Sequence, residues 1–186
     1  MSPKQIQFEQ TLAWHCAPSL AGVKPADLVT LNPKTLHPGL LEQYIFMLAQ
    51  RGIRLQQLGR YRERTLLLVY RPEPLTAWLR QAQVVEMLHQ MGYPVDGGVP
   101  ALLSHLQERL KSKEFPHEIG LFLGYPPADV EGFLQNGGQN SKLCGPWKVY
   151  GDVEQAQRLF SAFHRCRTTL FGQIKQGISL AQILSI

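Results

Sequence analysis

Residues capable of acid–base and thiol chemistry are concentrated in one segment of the chain, residues 116–152. His117 and Glu118 lie near its start, and Cys144 follows in a loop that also carries Lys142. A thiolate is the reactive form of cysteine, and a nearby ammonium group favours it. A histidine within hydrogen-bond reach can accept the thiol proton. We therefore predict Cys144 as a reactive thiol or ligand, His117 as its acid–base partner and Glu118 as a residue that orients a group at the site.

The same segment also carries groups that can hold an anion. Residues 136–141 read NGGQNS, and the backbone amides of such a loop, followed by Lys142, can cradle a negative charge. The candidate ligand-binding residues of the segment are Gly120, Gly124, Asn140, Lys142, Trp147 and Tyr150. Together they predict a small anionic metabolite or cofactor as the ligand.

The familiar cofactor and metal motifs do not occur in this sequence. The spacing of the glycines fits neither the GxxxxGKS/T phosphate loop nor the GxGxxG dinucleotide fingerprint. CxxC, HExxH and GxSxG are also absent. The sequence therefore identifies no cofactor and no metal, and it leaves open whether the protein is an enzyme.

Each candidate residue also has a structural interpretation, which the sequence leaves open. Glycines within a strand more often serve packing, with Glu118 then paired to an arginine or a lysine. His117 can satisfy a backbone group, and the NGGQNS stretch can be a plain flexible loop. Cys144 can equally be an inert, half-buried thiol, whereas Cys166 lies on an apolar helical stripe and is predicted to pack in the core.

Hydrophobic periodicity predicts a strand–helix–loop–strand unit for this segment. The predicted elements are a strand over 117–123, a helix over 128–135, a loop over 138–146 and a strand over 147–150. Side chains alternate between the two faces of a strand, so Glu118, Gly120 and Gly124 are predicted to share one face. The two glycines would leave room for a ligand above that face.

The rest of the chain is predicted to supply helices and short strands around this unit. The predicted helices cover residues 4–16, 40–50, 72–90, 99–111, 153–176 and a short segment after Ser179, and the predicted strands cover 28–31, 53–58 and 65–70. Ala17-Pro18 is expected to end the first helix. A chain of 186 residues suits one core. We therefore predict a single α+β domain over residues 1–186, with a small mixed sheet of about five short strands packed against helices.

Composition indicates the cellular compartment and the classes of partner that are expected. The formal net charge is +5 and the basic residues are scattered, with local clusters at Arg60, Arg62 and Arg64 and at Arg165 and Arg167. RNA binding therefore has the weakest support, because no aromatic residues alternate with these arginines. The 3 cysteines are far apart, which favours a reducing compartment over a disulfide framework. No signal peptide and no apolar run long enough to span a membrane is visible, so a cytoplasmic protein without a membrane association is expected.

A module without catalytic activity is the alternative to a thiol-dependent site. Such a module would bind a protein partner or a cofactor such as haem or flavin. His15, Cys16, His37 and the tryptophans offer ligand and aromatic groups for that role. Adjacent residues on a helix point apart, which weakens the His15–Cys16 pair as a joint ligand set.

The central segment also carries a family resemblance. The stretch HEIGLFLGYPPADVEGFLQNGGQNSKLCGPWKVYGD resembles the signature of an uncharacterised bacterial family, a domain of unknown function of about this length. HCAPSLAGVKPADL and RTLLLVYR are similar to that family as well, so the resemblance extends over nearly the whole chain. The resemblance implies a small cytosolic bacterial protein in a redox or iron-related setting. It transfers no activity and no catalytic residue.

Overall fold

The computed structural model describes residues 1–33 and 38–185 as helices, strands and connecting turns. The helices are α1 (Pro3–Leu20), α2 (Pro38–Ala49), α3 (Pro72–Leu79), α4 (Ala82–Gln90), α5 (Gly98–Arg109), α6 (Ile119–Phe122), α7 (Pro127–Asn136), α8 (Val153–Lys175) and α9 (Leu180–Ile183). The strands are β1 (Ala26–Leu31), β2 (Arg54–Tyr61), β3 (Arg64–Tyr70), β4 (Leu143–Cys144) and β5 (Lys148–Val149). The prediction of a single α+β domain is confirmed.

The strands form two antiparallel sheets, which corrects the prediction of one mixed sheet. The larger sheet has the order β1-β3-β2, and the smaller one pairs β4 with β5. The central strand β3 reads RTLLLVY and is buried on both faces, as its continuous apolar run indicates. Leu66 and Leu68 pack into one hydrophobic cluster, and Leu67 and Val69 pack into another. The larger sheet therefore separates two cores.

A two-residue turn connects β2 to β3. Tyr61 pairs with Arg64, and the turn residues Arg62 and Glu63 both have positive φ, 46° and 61°. Hairpins favour such left-handed turns because their twist matches that of the strands. Glycine, asparagine and aspartate adopt this left-handed conformation most readily, whereas arginine and glutamate do not, so the turn is strained.

One core lies between the larger sheet and the helices α1, α2, α8 and α9. Contrary to the prediction, α1 does not end at Ala17-Pro18 but continues to Leu20 with Pro18 inside it. Proline lacks the N–H that would bond to the carbonyl of Trp14. The Nε of Arg167 on α8 donates to that carbonyl at 2.7 Å instead. A side chain from a neighbouring helix thus compensates for the proline.

The other core contains β3 together with the helices α3 to α7. Residues 72–90 were predicted as one helix, but the chain breaks at Arg80 and Gln81 and forms α3 and α4. Gln81 is extended, with φ −64° and ψ 137°, so the helical bonding stops there. The apolar positions fit either arrangement, so periodicity alone could not reveal the break.

The predicted strand over residues 117–123 is wrong, because this stretch forms turns and the short helix α6. Ile119, Gly120, Leu121 and Phe122 are all buried. A short apolar run of this kind cannot be assigned to strand or helix by periodicity. The indole Nε1 of Trp78 donates to the carbonyl of Leu121 at 2.6 Å, which fixes α6 against α3.

Among residues 1–33 and 38–185, no helix has the length and apolarity that crossing a lipid bilayer requires.

Candidate functional site

A pocket of about 390 Å³ lies between the segment around α6, the helix α7 and the β4–β5 hairpin. Its walls are mostly apolar or aromatic and include Phe115, Ile119, Leu123, Val130, Phe133 and Pro146. The polar or titratable side chains of His117, Asp129, Cys144 and Lys148 also line it. A concave, mainly apolar pocket with few polar groups is the usual form of a small-ligand site.

Two stacked aromatic rings form part of the pocket wall. The rings of Tyr125 and Trp147 have centroids 4.8 Å apart at an interplanar angle of 24°. Trp147 also meets Phe160 of α8 edge-on, with centroids 4.5 Å apart. This packing fixes both rings in the pocket wall and ties Trp147 to the helix α8.

Asp129 in the first turn of α7 fixes the orientation of Trp147. Its Oδ2 accepts a hydrogen bond from the indole Nε1 of Trp147 at 2.7 Å. Its Oδ1 accepts from the backbone N–H groups of Tyr150 at 2.8 Å and Gly151 at 2.7 Å. Asp129 is only 2% exposed as a residue, so these three donors take the place of water around its carboxylate. Asp129 therefore joins α7 to the β4–β5 hairpin and holds the pocket together.

Asp129 was not among the predicted site residues; its position in the first turn of a helix explains its type without reference to a site. A signal was nevertheless present, because the indole N–H of a buried tryptophan needs an acceptor. The short-range pattern gave no reason to pair Asp129 with Trp147, since the two are 18 residues apart.

His117 lies at the edge of the pocket between two phenylalanines. Its ring centroid is 4.7 Å from that of Phe133 on α7 and 5.6 Å from that of Phe115. The residue is exposed, although Pro116 before it and Glu118 after it are both buried. The imidazole can therefore reach both the pocket and the solvent.

Cys144 belongs to β4, within the stretch predicted as a loop, and its residue is exposed. It is paired directly with Lys148 of β5. Residues paired in this way project to the same face of a hairpin, so the side chains of Lys148 and Cys144 share one face. The Nζ of Lys148 donates to the carbonyl of Gly138. Lys148 was missed in the sequence because the ladder that pairs it with Cys144 was not predicted.

Gly145 allows the hairpin to lie close to α8. A Cβ at this position would be 2.2 Å from the Cε2 of Phe160, closer than real contacts allow. The N–H of Gly145 donates to the carbonyl of Trp147 at 3.0 Å, which closes the turn. Cys144 and Trp147 are thereby held at the two ends of one tight turn.

Glu118 does not line the pocket. It is 3% exposed and accepts hydrogen bonds from the Nε of Arg109 at 2.8 Å and the hydroxyl of Tyr93 at 3.0 Å. Burial, followed by the charge and hydrogen bond of Glu118, raises the pKa of Tyr93. The prediction that Glu118 shares an open strand face with two glycines is wrong because this stretch is not a strand. The structural alternative, an ion pair with an arginine, describes its environment.

The two glycines near Glu118 are required by packing. A Cβ on Gly120 would be 2.9 Å from Tyr125 and 3.0 Å from Val130, although Gly120 itself lines the pocket. Gly124 has φ +75°, and a Cβ there would be 2.6 Å from Pro25. Neither glycine leaves the open space that the strand prediction implied.

Three further candidate residues lie near the pocket but do not line it. Lys142 is exposed, and its Nζ donates to the carbonyl of Gly151 at 3.0 Å. The hydroxyl of Tyr150 donates to the carbonyl of Gln139 at 2.8 Å. Asn140 adopts a positive φ of 58° in the loop between these groups. Of the predicted site residues, the structure brings together His117, Gly120, Cys144 and Trp147 in one cavity.

The groups considered for a haem, flavin or metal site are separated from this pocket. Cys16 is fully buried in the core, where burial raises the pKa of its thiol, while His15 is exposed. His37 lies outside the described residues. Within the parts of the chain that are described, no group of three or more His, Cys, Asp or Glu side chains is arranged to hold a metal ion.

The fold and the pocket thus define a small α+β domain with a candidate ligand site between α7 and a β-hairpin. The chain belongs to the family described as "Protein of unknown function (DUF3793)", whose model matches residues 12–184. This confirms the family of unknown function that the central segment had suggested. Neither the curated proteins nor the solved structures contain a match to the chain.

Proposed function

We propose that the protein binds a small molecule that has a flat apolar body and an anionic group, in the pocket beside α7. The observation that carries this proposal is the combination of the pocket of about 390 Å³, its stacked Tyr125–Trp147 wall and the Lys148 ammonium group. Pockets of roughly 300–1,000 Å³ with these properties hold most small ligands.

The apolar lining supports a flat and largely hydrophobic ligand. The rings of Phe115, Phe133 and Trp147 all contribute to the walls. Aromatic groups pack favourably against such rings in offset or edge-on arrangements. Each of these rings already packs against another ring, for example Trp147 against Phe160. Little side-chain entropy therefore remains to be lost on binding.

The charge of the lining supports an anionic group on the ligand. Lys148 uses one of its three N–H donors on Gly138, which leaves two for a ligand. The carboxylate that lines the pocket, Asp129, already accepts three hydrogen bonds. Both of its oxygens are therefore already occupied by donors of the hairpin.

Thiol chemistry on the bound molecule is a second candidate function. It is favoured by one observation, that Cys144 and His117 line the same pocket. In this proposal Cys144 is the nucleophile, and His117 accepts its proton. Lys148, the cross-strand partner of Cys144, would then lie on the same face of the hairpin as the nucleophile.

A matched pair of probes tests the binding proposal. Isothermal titration of the protein with 1-naphthoate and with the neutral 1-naphthylmethanol separates the contribution of the anionic group from that of the rings. We expect the carboxylate to bind more tightly, and Lys148→Met to remove this preference. Lys142→Met is the control, because Lys142 also bonds to a backbone carbonyl but lies outside the pocket.

Two results would contradict the proposal. One is the absence of saturable binding by either compound, and the other is an equal loss of naphthoate affinity in both lysine variants. Native mass spectrometry and an absorption spectrum of protein from its own host would then identify the natural ligand. A molecule lost in Cys144→Ala and His117→Ala, but kept in Cys166→Ala and His164→Ala, would support the thiol candidate.

For the setting we propose the bacterial cytoplasm, in a redox or iron-related context. The support is the family resemblance, together with three cysteines that are all free thiols.

A further inference from the structure

A second cleft, of about 490 Å³, lies on another part of the molecule. It is lined by Gln50, Arg51, Ile53, Arg71, Leu184 and Ser185. These residues come from the connection between α2 and β2, from the junction of β3 with α3 and from the segment that follows α9. The cleft shares no lining residue with the pocket beside α7.

Both arginines of this cleft are held in place by neutral oxygen atoms. Arg51 donates to the carbonyl of Met47 at 2.9 Å and to the carbonyl of Ala181 and the hydroxyl of Ser185, each at 3.3 Å. Arg71 donates to the carbonyls of Ser19 at 3.1 Å and Leu20 at 2.6 Å. These contacts fix the two guanidinium groups without neutralising their charge.

The cleft therefore concentrates positive charge that the surrounding side chains do not balance. Among the residues that the structure describes, no aspartate or glutamate lines the cleft. The side-chain ion pairs found within residues 1–33 and 38–185 involve Lys24, Arg109, Lys111 and Arg158, and neither cleft arginine. Two like charges facing one cavity repel each other, and an anion between them would remove that repulsion.

Unused hydrogen-bond donors accompany this charge. A guanidinium group carries five N–H donors, and Arg71 uses its Nε and its Nη2 in the bonds described above. The Nε of Arg51 is enclosed and has no partner in the described part of the chain. Since this Nε is enclosed, an anion in the cleft would instead meet the unused N–H groups on the Nη atoms of the two arginines.

We propose that this cleft binds the carboxylate or phosphate group of a small anionic molecule, held jointly by Arg51 and Arg71. The planar fork of arginine matches the geometry of both groups, and the Nη1 and Nη2 atoms of Arg71 retain N–H donors for two parallel hydrogen bonds. Arg51 makes both of its Nη2 bonds within the protein and would add its charge and the remaining Nη1 donor. Because both guanidinium groups are already held by protein oxygens, binding requires little reordering of side chains. A bound anion would also link the end of β3 to the segment after α9.

NMR spectroscopy of the arginine Nε–Hε groups tests this proposal directly. The protein is titrated with inorganic phosphate and, separately, with succinate, while sodium chloride keeps the ionic strength constant. We expect saturable shifts of the Arg51 and Arg71 signals, and no comparable shift of the exposed Arg80. Saturation by phosphate identifies a phosphate group as the ligand, saturation by succinate identifies a carboxylate, and either result supports the site.

Substitutions provide the second arm of the test. Arg51→Gln and Arg71→Gln should each weaken binding of the saturating anion about tenfold or more, while Arg80→Gln leaves it unchanged. Thermal melts establish that each variant is folded. If a variant is unfolded, the NMR shifts of the wild-type protein alone test the proposal. The titration is repeated with three glycines added after Ile186, so that a free terminal carboxylate next to Ser185 cannot be the anion.

Three results would overturn the proposal. They are shifts that do not saturate, shifts of equal size at Arg80, and shifts that sodium chloride alone reproduces. Any of these would mean that the arginines respond only to general screening.

Discussion

Replacing Asp129 by asparagine is the sharpest test of how the pocket is held together. The substitution keeps the shape of the side chain but exchanges one carboxylate oxygen for an NH₂ group. Oδ1 can continue to accept from the N–H groups of Tyr150 and Gly151. The introduced NH₂ then takes the place of Oδ2, which accepts from the indole Nε1 of Trp147 at 2.7 Å in the native protein. The NH₂ therefore faces the indole N–H. Two donors would face each other in a buried position.

The expected cost follows from these contacts. A hydrogen bond to a charged group contributes roughly 1.5–3 kcal/mol, and an unsatisfied buried donor costs roughly 1–3 kcal/mol. The two backbone bonds persist but lose the full charge of their acceptor. We therefore expect the free energy of unfolding to fall by about 2–4 kcal/mol, which for a chain of this length lowers the melting temperature by about 4–16 °C.

Urea unfolding followed by circular dichroism measures this cost. Asp152→Asn is the matched control, because Asp152 is exposed, accepts from the N–H of Gln155 at 2.9 Å and caps α8. Asparagine and aspartate are nearly equivalent at such a position, so little change is expected. The pocket should loosen only in Asp129→Asn, which should therefore also bind 1-naphthoate more weakly.

A double-mutant cycle with Trp147→Phe isolates the contact between the indole and the carboxylate. Phenylalanine has no N–H to oppose the introduced amide, so Asp129→Asn should cost about 1.5–3 kcal/mol less in that background. The reasoning is refuted if Asp129→Asn costs less than about 0.5 kcal/mol, or if its cost is the same with and without the indole.

Three further predictions concern other parts of the fold. Replacing Arg62 by Asn and Glu63 by Gly should raise the free energy of unfolding by about 1 kcal/mol, because these residues suit the left-handed turn; an unchanged urea midpoint would contradict this. Since the pKa of Tyr93 is raised by burial, the unfolded chain loses this proton first as the pH rises past about 10; urea midpoints should therefore fall between pH 9 and 11, and constant midpoints would be evidence against it. Iodoacetamide should modify the exposed Cys144 before the buried Cys16, whose thiol pKa is raised; peptide mass spectrometry showing early modification of Cys16 would disprove this.

The sequence predicted the elements whose signals are local and strong. The strand predicted over 65–70 and the helices predicted over 153–176 and after Ser179 are present as β3, α8 and α9, and the side chains of Asp152 and Ser179 cap the two helices. Pro18 misled the prediction because the group that compensates for it, Arg167, belongs to a distant part of the chain. A contact between residues so far apart in the sequence does not affect the local hydrophobic periodicity.

The sequence indicated the segment that contains the candidate site, but not the contacts between the residues of that site. The density of special residues indicated residues 116–152, and His117, Cys144 and Trp147 of that segment line one pocket. The assignment of residues to faces failed because it depended on a strand that does not form. Lys148 became visible only through its pairing with Cys144, which depends on the register of a two-residue ladder.

The position of β3 makes the hydrogen exchange of its amides a measure of the stability of the whole domain. This strand is bonded to β1 on one side and to β2 on the other, and both of its faces are covered by the two cores. Its amide hydrogens can meet solvent deuterium only when the whole domain opens, so their exchange rates report global unfolding directly. Amides of the β4–β5 hairpin, with two residues in each strand, can exchange through local opening. The ratio of these two rates would show how far any ligand tightens the hairpin separately from the rest of the fold.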